Sequence, residues 1–284
     1  MRNLLVLFLA IGILSACTPK KSGESNEEKV IHDIDKLLED LPDPSSIPFA
    51  LKSIGAEFGD SLINPLSNIA KYQGDVDKLA MNMGVYASDV SYLAAYEQSA
   101  LTMEYVKACH QIGETLGDSA IYKQDLLDNI EASLGNEEEL AKLLRGMIVE
   151  TSIQLEKDHH LSMAALALTG GFVEELYQAV NVIENYHQAN MTADEEKAKV
   201  EPLVKLVLAQ EQPLLDLIAL LKDIPHDDTI LEMITLMNIL DKLYKGELAT
   251  IQEKMDADPN FVVDRDLMFG VTLEIERIRA GIVE

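Results

Sequence analysis

Apolar residues recur at intervals of three and four along most of the chain after residue 26, and no segment of useful length alternates between apolar and polar residues. This spacing predicts amphipathic helices that pack on other helices. Equivalent stripes occur at 140–155, 166–180 and 267–282. The most continuous stripe extends over five turns, through Val76, Leu79, Ala80, Met83, Ala87, Val90, Leu93 and Ala94. The pattern therefore predicts an all-α fold.

Helix boundaries are marked by glycines and capping residues. Gly117-Asp118 and Gly135-Asn136 each end one helix and begin the next, and residues 192–195 (TADE) form a capping box. The joints are short, so consecutive helices are expected to be antiparallel. We predict an antiparallel bundle of about ten helices, the first of them at about residues 27–40. Pro202 and Pro213 are expected to kink or break the helices that contain them.

One internal echo has an offset of 86 residues. Residues 84–90 (GVYASDV) and 170–176 (GGFVEEL) share the order glycine, aromatic, acid, aliphatic. Two similar half-bundles that share a core would produce such an echo, and chance similarity between amphipathic helices would produce it equally well.

The N-terminus differs from the rest of the chain. Arg2 precedes an unbroken apolar run from Leu4 to Leu14, which at eleven residues is shorter than the roughly twenty needed to cross a bilayer. This segment therefore has the form of a secretory signal peptide.

The residues Leu14-Ser15-Ala16-Cys17 resemble the lipobox of bacterial lipoproteins at all four positions. The resemblance implies removal of residues 1–16, lipid on Cys17, and a helical body outside the cytoplasm, either in the periplasm or at the cell surface. Residues 17–26 contain no side chain large and apolar enough to pack, and we interpret them as a flexible tether. Residues 27–284 then form the all-helical domain.

Charge and composition limit the candidate partners. The formal net charge is −26, which disfavours nucleic acid and bare anionic membrane surfaces. The chain has two cysteines, and lipidation of Cys17 would leave Cys109 without an intrachain partner. Cys109 lies on an apolar stripe, so we expect a small buried side chain rather than a reactive thiol.

Glycine inside a helix costs about 1 kcal/mol relative to alanine, so helical glycines indicate close packing or space for a ligand. We favour a tight helix crossing at Gly84 and Gly170. The tyrosines near Gly84 are interpreted as side chains at the boundary between core and water. If the body has a ligand groove, it is expected along Gly84, Tyr86, Asp89, Tyr92, Tyr96, Gly170, Gly171 and Tyr177.

Metal binding has weak support from two Glu-x-x-His motifs. They consist of Glu156 with His159 and of Glu184 with His187. On a helix this spacing puts a carboxylate and an imidazole on one face, as in ferritin-like di-iron bundles, but both motifs lie near helix ends among polar residues. We interpret Asp158-His159-His160 as a polar junction.

No hydrolase, phosphate-binding or dinucleotide-binding motif occurs in the chain. We therefore expect a non-catalytic binding or scaffolding protein of the cell envelope, without a cofactor. Its expected partners are the membrane, through lipid on Cys17, and another envelope protein. A carrier of small ligands or lipids, and a carboxylate-rich metal enzyme, remain as alternatives.

Overall fold

A computed structural model of the chain describes residues 46–117, 124–133, 136, 139, 143, 161–188 and 191–284. The predicted signal peptide, the predicted tether with Cys17, the helix predicted at 27–40, and the residues Glu156 and His159 lie outside this part of the chain. Among the described residues the protein is all-helical, its helices pack on one another, and no strand occurs.

The helices are, in chain order, α1 (Ser46–Ser53), α2 (Ile69–Tyr72), α3 (Val76–Ala95), α4 (Ser99–Thr115), α5 (Gln124–Ser133), α6 (Leu161–Gln188), α7 (Ala193–Leu208), α8 (Glu211–Asp223), α9 (Asp228–Leu243), α10 (Ala249–Ala257) and α11 (Arg265–Val283). Two 3₁₀ turns (Asp60–Leu62 and Leu66–Asn68) precede α2, and a π-helix (Tyr244–Leu248) joins α9 to α10.

Several boundaries follow the local signals in the sequence. Thr192 and Glu195 form the predicted capping box at the start of α7. The side chain of Asn136 accepts a hydrogen bond from the Glu139 amide at 3.3 Å, as expected for a capping residue. After α4, Gly117 has a φ of 95°, a left-handed conformation that favours glycine and ends the helix.

The two helical prolines behave differently from one another. Pro213 lies in the first turn of α8, directly after the break between α7 and α8, where an amide has no intrahelical acceptor. Pro202 lies inside α7, and the helix continues through it, so Pro202 does not break the helix. Burial of Leu203 and Val207 on the same helix offsets the one hydrogen bond that Pro202 removes.

The core is built around α3, which is surrounded by α1, α2, α4, α6 and α11. The stripe predicted for α3 is buried at Leu79, Met83 and Val90, but Val76 at the helix start is 56% exposed. Burial extends well beyond this stripe, because helices pack on several sides of α3. Cys109 is fully buried, as predicted, and desolvation raises the pKa of its thiol.

The packed helices include both parallel and antiparallel pairs. Gly84 meets Ala167 and Asp89 meets Gln178, so contacts advance in the same direction along α3 and α6 and the two helices are parallel. In contrast, α11 is antiparallel to α6, because Arg265 at the start of α11 pairs with Glu184 and Arg279 near its end pairs with Glu174. Among the described helices, none has the combination of length and apolarity that a bilayer span requires.

Candidate functional site

Gly84 and Gly170 lie where α3 and α6 cross. A Cβ atom added to Gly84 would stand 1.8 Å from the carbonyl oxygen of Ala167, and one added to Gly170 would stand 2.0 Å from the carbonyl oxygen of Met81. These distances are far below van der Waals contact, so the two backbones touch directly. The predicted tight crossing is confirmed, and the backbones themselves occupy the space beside these two glycines.

The contacts at this crossing are reciprocal. Gly84 meets the residue three positions before Gly170, and Gly170 meets the residue three positions before Gly84. Gly84 and Gly170 are 86 positions apart in the chain, and so are Met81 and Ala167, which is the offset of the sequence echo. Gly171 is less constrained, since its added Cβ would approach Gly84 O and Ser88 Oγ at 3.4 Å.

The tyrosines of α3 lie deeper than expected. Tyr86 and Tyr92 are both 0% exposed, so the interpretation that they straddle core and water was wrong. Each hydroxyl instead has a backbone partner: Tyr86 donates to Pro65 O at 3.1 Å, and Tyr92 accepts from the Gly59 amide at 3.0 Å. Tyr96 is half-buried, and its ring packs 4.8 Å from that of Tyr92.

Beyond the glycine crossing, α3, α6 and α11 enclose two carboxyl groups and one guanidinium group. Arg279 donates two hydrogen bonds to Glu174, from Nε to Oε2 at 2.7 Å and from Nη2 to Oε1 at 2.8 Å. Asp89 lies beside Glu174 and also accepts from the Gln178 side chain at 3.3 Å. Asp89, Glu174 and Gln178 are all 0% exposed. We call Asp89, Glu174, Gln178 and Arg279 the carboxyl cluster.

Burial changes the ionisation of this cluster. Desolvation, followed by repulsion from Glu174, raises the pKa of Asp89 well above its ordinary value. Desolvation also raises the pKa of Glu174, against the opposing effect of Arg279. For Arg279, burial alone would lower the pKa, but the Glu174 carboxylate beside it raises the pKa above the ordinary value. Because both oxygens of Glu174 accept hydrogen bonds from Arg279, Asp89 is the carboxyl group that we expect to keep a proton and to donate it towards Glu174.

A neutral polar network continues from Asp89 to the end of α11. The backbone amide of Asn64 donates to Asp89 Oδ2 at 2.9 Å, and the side chain of Asn64 donates to Tyr72 and Asn82 at 3.1 Å each. Tyr72 then donates to Val283 O at 2.8 Å. The C-terminal end of α11 is therefore held by hydrogen bonds in addition to the Arg279 ion pair.

Of the residues predicted for a groove, Asp89 and Tyr177 lie at the carboxyl cluster. The Arg279 guanidinium stacks 4.0 Å from the centre of the Tyr177 ring. Glu174, Gln178 and Arg279 were missed. A signal was present for two of them, because Glu174 and Gln178 follow Gly170 at intervals of four and therefore share its buried helix face.

The metal hypothesis finds no support in the described residues. Glu184 forms an ion pair with Arg265 at 2.6 Å, so its carboxylate is engaged by a cation. The side chain of His187, like Glu156 and His159, lies outside what is described. Within residues 46–117, 124–133, 161–186 and 191–284, no group of three or more potential metal ligands is found.

The outer face of α11 differs from its inner face. Phe269 and Leu273 lie one helical turn apart and are 54% and 55% exposed. Asp266 is exposed and Glu276 half-buried on the flanks of this pair, whereas Arg277 is neutralised by an ion pair with Glu274. We call Asp266, Phe269, Leu273 and Glu276 the α11 outer face. It is a small apolar surface with acidic edges.

A cleft of about 250 Å³ lies beside the π-helix. Its lining combines apolar side chains with two exposed carboxylates: Leu208, Glu211, Tyr244, Ala249, Gln252 and Glu253. Tyr244 closes the inner side of the cleft and donates to Val207 O at 2.8 Å.

Comparison with known proteins identified no matching family model, no similar curated protein and no similar solved structure.

Proposed function

We propose that this chain is a lipoprotein of the bacterial cell envelope, anchored to a membrane through lipid on Cys17, whose helical body binds another envelope protein without catalysing a reaction. The lipobox-like residues 14–17 support the anchor. The α11 outer face supports the binding role, and it is the observation on which the proposal depends.

The exposed apolar pair is the reason for choosing this face. Among the described residues, the large hydrophobic side chains that stand out as exposed are Val76, Leu231, Phe269 and Leu273. Two of these four are adjacent on α11, in the i, i+4 arrangement that offers a partner one continuous contact. Burying the exposed part of such side chains is worth about 25 cal/mol per Å² of apolar surface.

Charge defines the chemistry of the partner. Asp266 and Glu276 leave the edges of the face negative, and the whole chain carries a net charge of −26. A partner segment that combines apolar side chains with lysine or arginine would complement the face, as charged rims do in other interfaces. We therefore propose a basic amphipathic segment of an envelope protein as the occupant.

Site-specific photo-crosslinking in intact cells tests the binding role. A photoreactive amino acid at position 273 should give one defined adduct, and Phe269→Asp in the same chain should abolish it. A photoreactive residue at Leu231, which is 48% exposed on α9, is the matched control. Equal adducts at both positions, or an adduct that survives Phe269→Asp, would contradict the proposal.

The anchor is tested separately. Cells fed labelled palmitate should incorporate label into the wild-type protein and not into Cys17→Ser, and the variant should leave the membrane fraction. Label that still enters the Cys17→Ser protein would overturn the anchor and leave the binding proposal standing.

The arrangement of the helices within the domain is a further part of the proposal. We infer that helix pairs α3/α4 and α6/α7 are the cores of two similar half-bundles within an approximately ten-helix domain at residues 27–284. The reciprocal glycine contacts at the 86-residue offset support this arrangement. They also require α3 and α6, which are not consecutive in the chain, to be parallel.

Small-ligand binding is the second candidate, and the cleft beside the π-helix favours it. With Glu211 and Glu253 at its edges, a suitable ligand would be a small organic cation. Native mass spectrometry of the protein purified from its host would detect a retained ligand. A ligand retained equally by the Glu211→Gln/Glu253→Gln variant would argue against this cleft.

A further inference from the structure

The carboxyl cluster contains two fully buried acids, Asp89 and Glu174, and one base, Arg279, whose side chain is 12% exposed. With Asp89 and Glu174 both ionised, the pair and Arg279 would carry a net negative charge where Asp89 and Glu174 have no exposed surface. An uncompensated charge in such a position is strongly unfavourable. One proton shared by Asp89 and Glu174 makes the three groups neutral.

The balance of hydrogen-bond donors and acceptors in the carboxyl cluster also favours the presence of this proton. Two carboxyl groups and the oxygen of Gln178 provide acceptors, and Gln178 Oε1 has no donor among the described residues. The donors are Arg279, the Asn64 amide and the Gln178 amide nitrogen. A protonated Asp89 adds a donor directly beside Glu174.

Other ionisable groups around the cluster stay neutral near physiological pH. Desolvation raises the pKa of the phenols and of the thiol that face it from the neighbouring helices: Tyr72 of α2, Tyr86 and Tyr92 of α3, Tyr105 and Cys109 of α4, and Tyr177 of α6. Glu276 of α11 and Glu104 of α4 act on Tyr177 and Tyr105 from the edge. The proton between Asp89 and Glu174 is therefore the one whose loss would alter the charge inside the cluster.

We propose that the carboxyl cluster is a proton-dependent latch for α11: the helix stays docked on α3 and α6 while one proton remains between Asp89 and Glu174, and loss of that proton loosens it. Arg279 is the attachment point, because it is the residue of α11 that reaches into the cluster. The latch concerns the inner face of α11 and does not depend on what binds the outer face.

The direction of the pH dependence follows from linkage. A carboxyl group whose pKa is higher in the docked state than in the open state binds more protons when docked, so docking weakens as the pH rises through that window. Each pH unit within the window should increase the opened fraction about tenfold. Helix α11 should therefore stay docked at acidic pH and loosen at alkaline pH.

Hydrogen exchange followed by mass spectrometry tests the latch on the whole protein. Between about pH 5 and pH 9, protection factors corrected for intrinsic exchange should fall in the peptides of α11, by up to about tenfold per pH unit. Peptides of α8, which is not part of the cluster, provide the internal reference. Asp89→Asn should remove the pH dependence in α11, because asparagine is isosteric with the protonated acid and can donate to Glu174 permanently.

Asp241→Asn is the matched control, since it removes a carboxylate of α9 that pairs with Lys245 of the π-helix, away from the cluster. It should leave the pH profile of α11 unchanged. Protection of α11 that does not vary with pH in the wild type would overturn the latch, and so would a pH dependence that persists in Asp89→Asn. Unchanged protection of α8 in Asp89→Asn verifies that the variant is folded.

Discussion

The same two helices, α3 and α6, are joined in two physically different ways within a few turns. At Gly84 and Gly170 the backbones touch, and the contact is governed by shape alone. At Asp89 and Glu174 the contact is governed by charge, and it involves a third helix through Arg279. A contact of shape is independent of pH, whereas a contact between buried acids depends on whether a proton is present.

Substitution of either crossing glycine should have the largest effect on stability. Gly84→Ala or Gly170→Ala forces the helices apart, because the added Cβ meets backbone atoms that cannot rotate away. We expect a loss of more than about 4 kcal/mol in the free energy of unfolding, measured by urea denaturation at two pH values. Gly281→Ala is the control, since nothing lies within 4 Å of its added Cβ. Equal stability of Gly84→Ala and Gly281→Ala would show that the crossing is looser than described.

Removal of the Arg279 guanidinium group should have the second-largest effect on stability. Arg279→Met keeps much of the side-chain volume but leaves Glu174 without its cation, and breaking a buried ion pair in this way costs about 3 kcal/mol or more. Arg277→Met removes an exposed arginine two residues away and should cost less than about 1 kcal/mol. The two variants, compared by thermal and urea unfolding near neutral pH, separate the buried pair from the surface pair.

Asp89→Asn should separate the charge contact from the shape contact most cleanly. The raised pKa of Asp89 means that wild-type stability is fully present below the ordinary aspartate pKa and decreases as the pH rises towards the raised value. The variant should lack this decrease, so its advantage over the wild type grows by up to about 1.4 kcal/mol per pH unit across the window. Unfolding free energies measured at several pH values test this; parallel curves for the two proteins would contradict it.

Ser88→Ala should have the smallest effect. Ser88 lies between the two contacts, and its hydroxyl group donates a hydrogen bond to the carbonyl oxygen of Gly171 on α6 at 3.2 Å. We expect a loss of about 0.5–1 kcal/mol without any pH dependence. A pH-dependent effect of Ser88→Ala would mean that the crossing and the carboxyl cluster are coupled and should not be treated as separate contacts.

Part of the candidate site could be anticipated from local sequence. Gly84 and Gly170 stand out because helical glycines are unfavourable unless the backbone must approach another group. Asp89 was included for its place beside the stripe of α3. Arg279 could not be anticipated, because it is about 100 residues from Glu174 in the chain, and local spacing carries no information about which distant helix will supply the countercharge.

The tyrosines of α3 show the same limit of what local sequence spacing can predict. Their spacing along α3 indicated one side of a helix, but whether that side meets water depends on what covers it. The segment containing Gly59, Asn64 and Pro65 folds over this side and supplies hydrogen-bond partners for the phenols. Tyr86 and Tyr92 can thus be fully buried with their hydroxyl groups hydrogen-bonded, whereas the hydroxyl of Tyr96 has no partner among the described residues.

The amino-acid sequence alone determined the helical class, the capped helix ends and the two glycines available for a close crossing, because each of these depends on residues within a few turns. The tertiary structure alone decided that α3 and α6 are parallel and that Asp89, Glu174 and Arg279 share one enclosed space. Only the tertiary structure could decide this, because ionisation and burial depend on the groups that meet in space, and those groups come from helices far apart in the chain.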